Sequence, residues 1–163
     1  MKSSAIPLRY GLILGSLLIV YFLVLSLVGL HTYVWFSLVN GILTGVGIFM
    51  ATRDFKAKEG KAFKYQNGFM TGLMTGFYAT LIFTIFFAIY ASNINPDYTD
   101  ELLNIWNMPG ETGFGLIILV VATMGAASTF VLTLACMQLF KDSWNTHKPQ
   151  QQKEVEKPSH ESA

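Results

Sequence analysis

Four stretches of this chain contain no aspartate, glutamate, lysine, arginine or histidine: residues 10–30, 33–52, 69–92 and 114–140. A soluble helix shows a polar stripe on its wet face, and none of the four has one. Each is about as long as the ~20 apolar residues that cross a bilayer as a helix. Cysteine is nearly absent. Cys136 stands alone, which excludes an internal disulfide framework and any multi-cysteine metal site. A net charge of +1 gives no reason to expect nucleic acid as a partner. There is no Gly-x-Ser-x-Gly, no phosphate loop and no histidine cluster for haem or zinc. The apolar stretches also lack the buried ionisable residue on which proton-coupled transport usually turns. These absences point away from an enzyme and imply no cofactor.

What is present is apolar surface. Hydrophobic residues make up 52% of the chain and charged ones 13%, too oily for an ordinary soluble domain of this length. The expected fold class is all-α: a polytopic membrane protein built as a bundle of four transmembrane helices. That domain covers residues 1–140, with spans at about 10–30, 33–52, 69–92 and 114–140, followed by a disordered cytoplasmic tail over 141–163. The first stretch is too long for a signal peptide and reads as a retained anchor. All 11 Lys and Arg residues lie before the first stretch, between the second and third, or after the fourth. The positive-inside rule then places both termini and the middle connection in the cytoplasm, an N-in/C-in topology. Tyr10, Tyr65 and Trp144 fall at the inner boundary, and Tyr33, Trp35, Tyr90 and Trp106 at the outer one, where amphipathic rings are favoured.

Within the oily stretches, glycine recurs at spacings of four: Gly11 and Gly15 in the first, Gly41 and Gly45 with Gly47 in the second, and Gly68, Gly72 and Gly76 in the third; Gly125 opens "GAAS" in the fourth. Apolar helices in lipid gain little from touching unless their backbones come close, which small residues permit. Gly15, Gly72 and the pair Gly45/Gly47 are expected at one depth, so the notches are read as packing sites between helices of one chain. Above the glycines the third stretch continues into Ala79, Phe83, Phe86 and Tyr90 on the same face. Together with Asn40, the residues Phe83, Phe86 and Tyr90 are the candidate lining of a polar and aromatic cleft; space filled by the aromatic side chains is the preferred alternative. Threonines such as Thr44, Thr71 and Thr75 are expected to bond their own helix carbonyls.

The connections carry less. The middle one, "RDFKAKEGKAFKYQ", is basic, and Phe55, Ala62 and Phe63 are expected to lie on the membrane surface with the lysine stems. A topology-setting role explains it, and a specific lipid or partner site is the sharper alternative. In the second outer connection, Asn95 and Pro96 open a short helix, and Asp97, Asp100 and Glu101 read as helix-start acids in preference to metal ligands. His147 and His160 are too isolated to form a site, and a membrane enzyme, the third reading, would need Asp97, Asp100 or His31.

The order "LRYGLILG", a charged connection after the second stretch, then "GKAFKYQNGFMTGLMTG" resembles a family of small bacterial inner-membrane proteins catalogued as domain of unknown function 4199. The resemblance implies a four-span protein in the bacterial inner membrane and carries no activity or cofactor with it. The expected function is non-enzymatic: a scaffold or accessory subunit that acts through helix packing in the lipid bilayer, with a membrane-protein partner or a second copy of itself. The alternative is a small permease or carrier for a hydrophobic compound or lipid.

Overall fold

The computed structural model describes residues 5–28, 34–94 and 110–140. The connection around His31, the outer segment with Asp97, Asp100 and Glu101, and the tail with His147 and His160 lie outside the described residues. The described residues are helical apart from the extended pair Phe63 and Lys64 and a turn at Phe140. Four helices follow one another: α1 Ile6–Val28, α2 Val34–Glu59, α3 Tyr65–Ile89 and α4 Gly110–Leu139. Among the described residues, three segments are long and apolar enough to cross a membrane: Ile6–Val28, Tyr65–Asn93 and Gly113–Leu139. α2 follows its apolar part with two turns that carry Arg53, Asp54, Lys56, Lys58 and Glu59.

Local chemistry explains where the helices begin and end. Pro7 sits in the first turn of α1, where the N–H it lacks has no intrahelical acceptor to lose. α3 widens into a π-helical turn at Tyr90–Ile94. There Ser92 Oγ and Asn93 Nδ2 both donate to the carbonyl of Ile89 at 3.3 Å, serving an acceptor at the helix end. α2 runs on past its apolar part as far as Glu59, so the start of the middle connection is helical.

The corner between α2 and α3 is a built structure. Gly60 adopts φ +51°, which a residue with a Cβ enters only at a cost. A single 3-10 turn follows at Gly60–Ala62, and the N–H of Phe63 closes it onto the carbonyl of Gly60 at 3.3 Å. The Phe63 ring then lies over Gly68, its tip 2.6 Å from where a side chain on that glycine would begin. It also meets Phe55 edge-on at 6.2 Å. Ile6, Ala51 and Phe55 form one buried cluster, with Tyr10 and Phe63 packed against it. This corrects the expectation for Phe55, which is 8% exposed inside the chain and does not lie on a membrane surface; of its companions Phe63 is half-buried and Ala62 exposed. Helix propagation carried Phe55 round to the inner face of α2, beside Ala51.

α3 is the hub. It packs against α1, α2 and α4, and α2 touches α1 and α4, whereas α1 and α4 make no close backbone approach among the described residues. α1 and α3 run in the same direction, as the pairs Gly11–Tyr78, Gly15–Ile82 and Ser26–Tyr90 show. α4 runs against α3.

Replacing Gly60 by alanine is expected to destabilise the corner by about 1–2 kcal/mol through its left-handed backbone. The check is the thermal unfolding midpoint in mild detergent: Gly60→Asn, which tolerates this conformation better, should fall less than Gly60→Ala.

Candidate functional site: a glycine–threonine seam

The glycine column of α3 meets a column of α4 spaced by the same four residues. A side chain on Gly68 would stand 3.2 Å from the methyl of Met137, and one on Gly72 2.9 Å from the methyl of Thr133. At Gly76 the space is already taken by the methyl and hydroxyl of Thr129. One step further the roles reverse, and Thr80 of α3 fills the notch of Gly125 on α4, 2.5 Å from its absent side chain. Each step of four up α3 is a step of four down α4, the register of two antiparallel helices in close contact. Glycine on one side and a β-branched residue on the other bring the backbones together without leaving a gap. α2 joins at Gly72, where Ile48 and Thr52 approach to 3.1 and 3.2 Å.

Threonine suits this seam because its hydroxyl need not look for water. Thr71 donates to the Asn67 carbonyl, Thr75 to that of Thr71 and Thr44 to that of Asn40, all at 2.8 Å. This is the self-bonding expected of threonine in an apolar helix. Across the seam, Thr80 and Thr129 hydroxyls are 3.4 Å apart, a weak contact. Among the described residues, the hydroxyls of Thr52, Thr84 and Thr133 and the side-chain oxygen of Asn40 are buried without a hydrogen-bond partner. Thr52 Oγ faces Gly72, 3.2 Å from where a side chain on that glycine would begin.

The remaining notches serve other interfaces. On α1, Gly11 lies against Tyr78, with the Thr75 carbonyl 3.0 Å from its missing side chain, and Gly15 lies against Ile82 at 3.1 Å. Gly47 of α2 receives Leu14 of α1 at 2.9 Å. Gly45 faces Leu132 of α4 at 3.5 Å, and Cys136 Sγ donates to the Gly45 carbonyl at 3.6 Å. Gly41 meets nothing within 4 Å among the described residues. The notches therefore do not share one depth: Gly15 meets α3 at Ile82, about three turns beyond Gly72. α1 is shifted along α3, because its own glycines seat against Thr75 and Ile82.

Phe83, Phe86 and Tyr90 come together around a residue that sequence reasoning passed over. Phe22 of α1 meets Phe83, Phe86, Phe87 and Tyr90 edge-on, at centroid distances of 6.0, 6.2, 5.9 and 5.0 Å. The edge-to-face geometry sets positive ring edges on negative ring faces. Ser26 and the Tyr90 hydroxyl share a hydrogen bond at the top of this cluster. The rings occupy the space between α1 and α3. The available signal was the spacing of Gly11, Gly15, Leu18 and Phe22, which puts all four on one helical face. An apolar groove of about 320 Å³ lies elsewhere, between α3 and α4, walled by Leu73, Phe77, Tyr78 and Phe130.

At the basic end of the bundle, Lys56 Nζ sits 5.3 Å from the Phe63 ring centroid and 5.7 Å from that of Phe140, within cation–π range. Phe140 in turn stacks on Phe49 at 5.4 Å, tying the end of α4 to α2. Among the described residues no three His, Cys, Asp or Glu side chains converge as a metal's donor set.

Long apolar helices joined through glycine notches, with their lysines and arginines gathered at one end, define an all-helical protein of the membrane type. Residues 9–108 match the family described as "Protein of unknown function (DUF4199)", and the chain belongs to that family. The match takes in α1, α2 and α3 and ends before α4. No curated protein and no solved structure matches the chain.

The seam makes Gly76→Leu a change in fold stability. Forcing a side chain onto Thr129 is expected to lower stability by about 1–3 kcal/mol. For the smaller Gly76→Ala, adding Thr129→Ala should restore part of the loss, whereas Thr129→Ala alone should not stabilise. A thermal double-mutant cycle in detergent measures that coupling.

Proposed function

We propose that this chain is a non-enzymatic, four-span protein of the bacterial inner membrane, with both termini cytoplasmic, that serves as a scaffold or accessory subunit through helix–helix contact. The observation that carries this reading is the exposure of α4. Only 11% of its most apolar window is buried inside the chain, against 28% for the windows of α1 and α3. The seam holds α4 along one narrow face, and Met124 (67% exposed) and Val131 (62%) stand on the other side with Ala127 and Ser128 beside them. A helix so lightly held by its own chain has surface to offer another, and small residues there permit close approach. The topology is supported by the charges, since the two connections on the other side carry no lysine or arginine.

A photo-crosslinker placed at Met124 or Val131 in the native membrane should give a discrete heavier adduct, and mild extraction should yield a stable larger complex. A monodisperse monomer with no reproducible adduct from either position contradicts the proposal.

The α3–α4 groove favours a second reading, a carrier for a hydrophobic compound or lipid. In that case Phe77→Ala, a change at a half-exposed ring of the groove, alters flux across reconstituted vesicles at unchanged protein level. An unaltered flux removes this reading and leaves the first standing.

A further inference from the structure

Every Lys, Arg, Asp and Glu whose side chain is described lies at one end of the bundle: Arg9, Arg53, Lys56, Lys58, Lys61 and Lys64 against Asp54 and Glu59. Asp54 is engaged, since Lys58 Nζ reaches its carboxylate at 3.1 Å. Lys56 is held over two rings. Arg53, Lys61 and Lys64 remain exposed and form no ion pair among the described residues. All three lie on one ordered stretch of backbone, residues 53–64: the end of α2, the turn on Gly60 and the Phe63 anchor. A loose loop lets like charges drift apart, whereas this ordered corner fixes their positions and leaves a net positive charge, among the described residues, for an anion to neutralise.

The position of the corner narrows the anion. The apolar segment of α3 begins at Tyr65, directly after Lys64, and the exposed Tyr65 ring marks the level where such rings meet lipid headgroups. Arginine offers a planar fork to phosphate oxygens and lysine a point charge. We propose that Arg53, Lys61 and Lys64 form a binding site for the phosphate headgroup of an anionic phospholipid, such as phosphatidylglycerol. A soluble anion would find the same charges, but only a lipid places its phosphate at this depth while its chains cover the apolar start of α3. The site does not depend on whether the protein is a scaffold or a carrier.

The test is native mass spectrometry of the full chain in mild detergent, titrated with phosphatidylglycerol or phosphatidylcholine. The expected preference for phosphatidylglycerol is about tenfold or more, given three basic residues near one anionic headgroup. Arg53→Gln/Lys61→Gln/Lys64→Gln should bring the two lipids to within about twofold of each other, with its thermal midpoint compared with the parent's. Should the triple variant not fold, the milder Lys61→Gln/Lys64→Gln at two exposed positions gives a partial loss of preference. Equal binding of both lipids by the unaltered chain, or an undiminished preference in a folded variant, overturns the site. Displacement of phosphatidylglycerol by millimolar inorganic phosphate, with no dependence on acyl chains, overturns the lipid assignment.

Discussion

The fold depends on how closely α3 and α4 approach. In hydrocarbon an apolar side chain gains nothing by leaving lipid for protein, so the ordinary hydrophobic effect cannot hold four oily helices together. Dispersion between well-fitted surfaces can, and it falls off within an ångström of separation. Gly68, Gly72, Gly76 and Gly125 remove the atoms that would keep the backbones apart, and Met137, Thr133, Thr129 and Thr80 occupy the vacated space. Neither column works alone. Glycine without a facing side chain would leave a gap, and threonine without glycine would hold the helices off.

From that seam the rest of the arrangement follows. Because α3 gives one face to α4 at the glycines, another is left for Gly11 and Gly15 of α1, and higher up its rings close on Phe22. α2 enters at Gly72 through Ile48 and Thr52, so three helices meet at a residue with no side chain. The basic corner is placed by the same logic, as Phe63 uses Gly68, the first glycine of the column, as its seat. One glycine series thus fixes the neighbours of α3 and orders the charged turn that leads into it.

Much of this was legible in the residues, and what was not has physical reasons. The charge-free stretches marked the helices, because lipid leaves no other solution for so many apolar residues in a row. The extension of α2 to Glu59 was hidden, since hydropathy falls at Arg53 while helical hydrogen bonding continues. The glycines announced close packing, but their partners depend on the shift of one helix along another, which no single sequence encodes. Hence Gly15 was expected beside Gly72 and stands at Ile82. Threonine was read as bonding its own helix, true of Thr71 and Thr75; that Thr129 and Thr133 also act as space-filling partners needs the facing helix to be seen. Phe83, Phe86 and Tyr90 were grouped correctly by periodicity, whereas Phe22 at their centre belongs to a helix distant in sequence.

The central claim is that the seam closes within one chain and does not join two. Phe69 and Phe130 face each other beside it, with ring centroids 6.0 Å apart. Cysteines at these two positions in a Cys136→Ser chain, bridged in the membrane by a short bis-maleimide with two differently tagged copies co-expressed, report on it directly. The account predicts a cross-link within single chains, seen as one product of monomer mass with no mixing of tags. A product joining the two tags would place the seam between copies and contradict it.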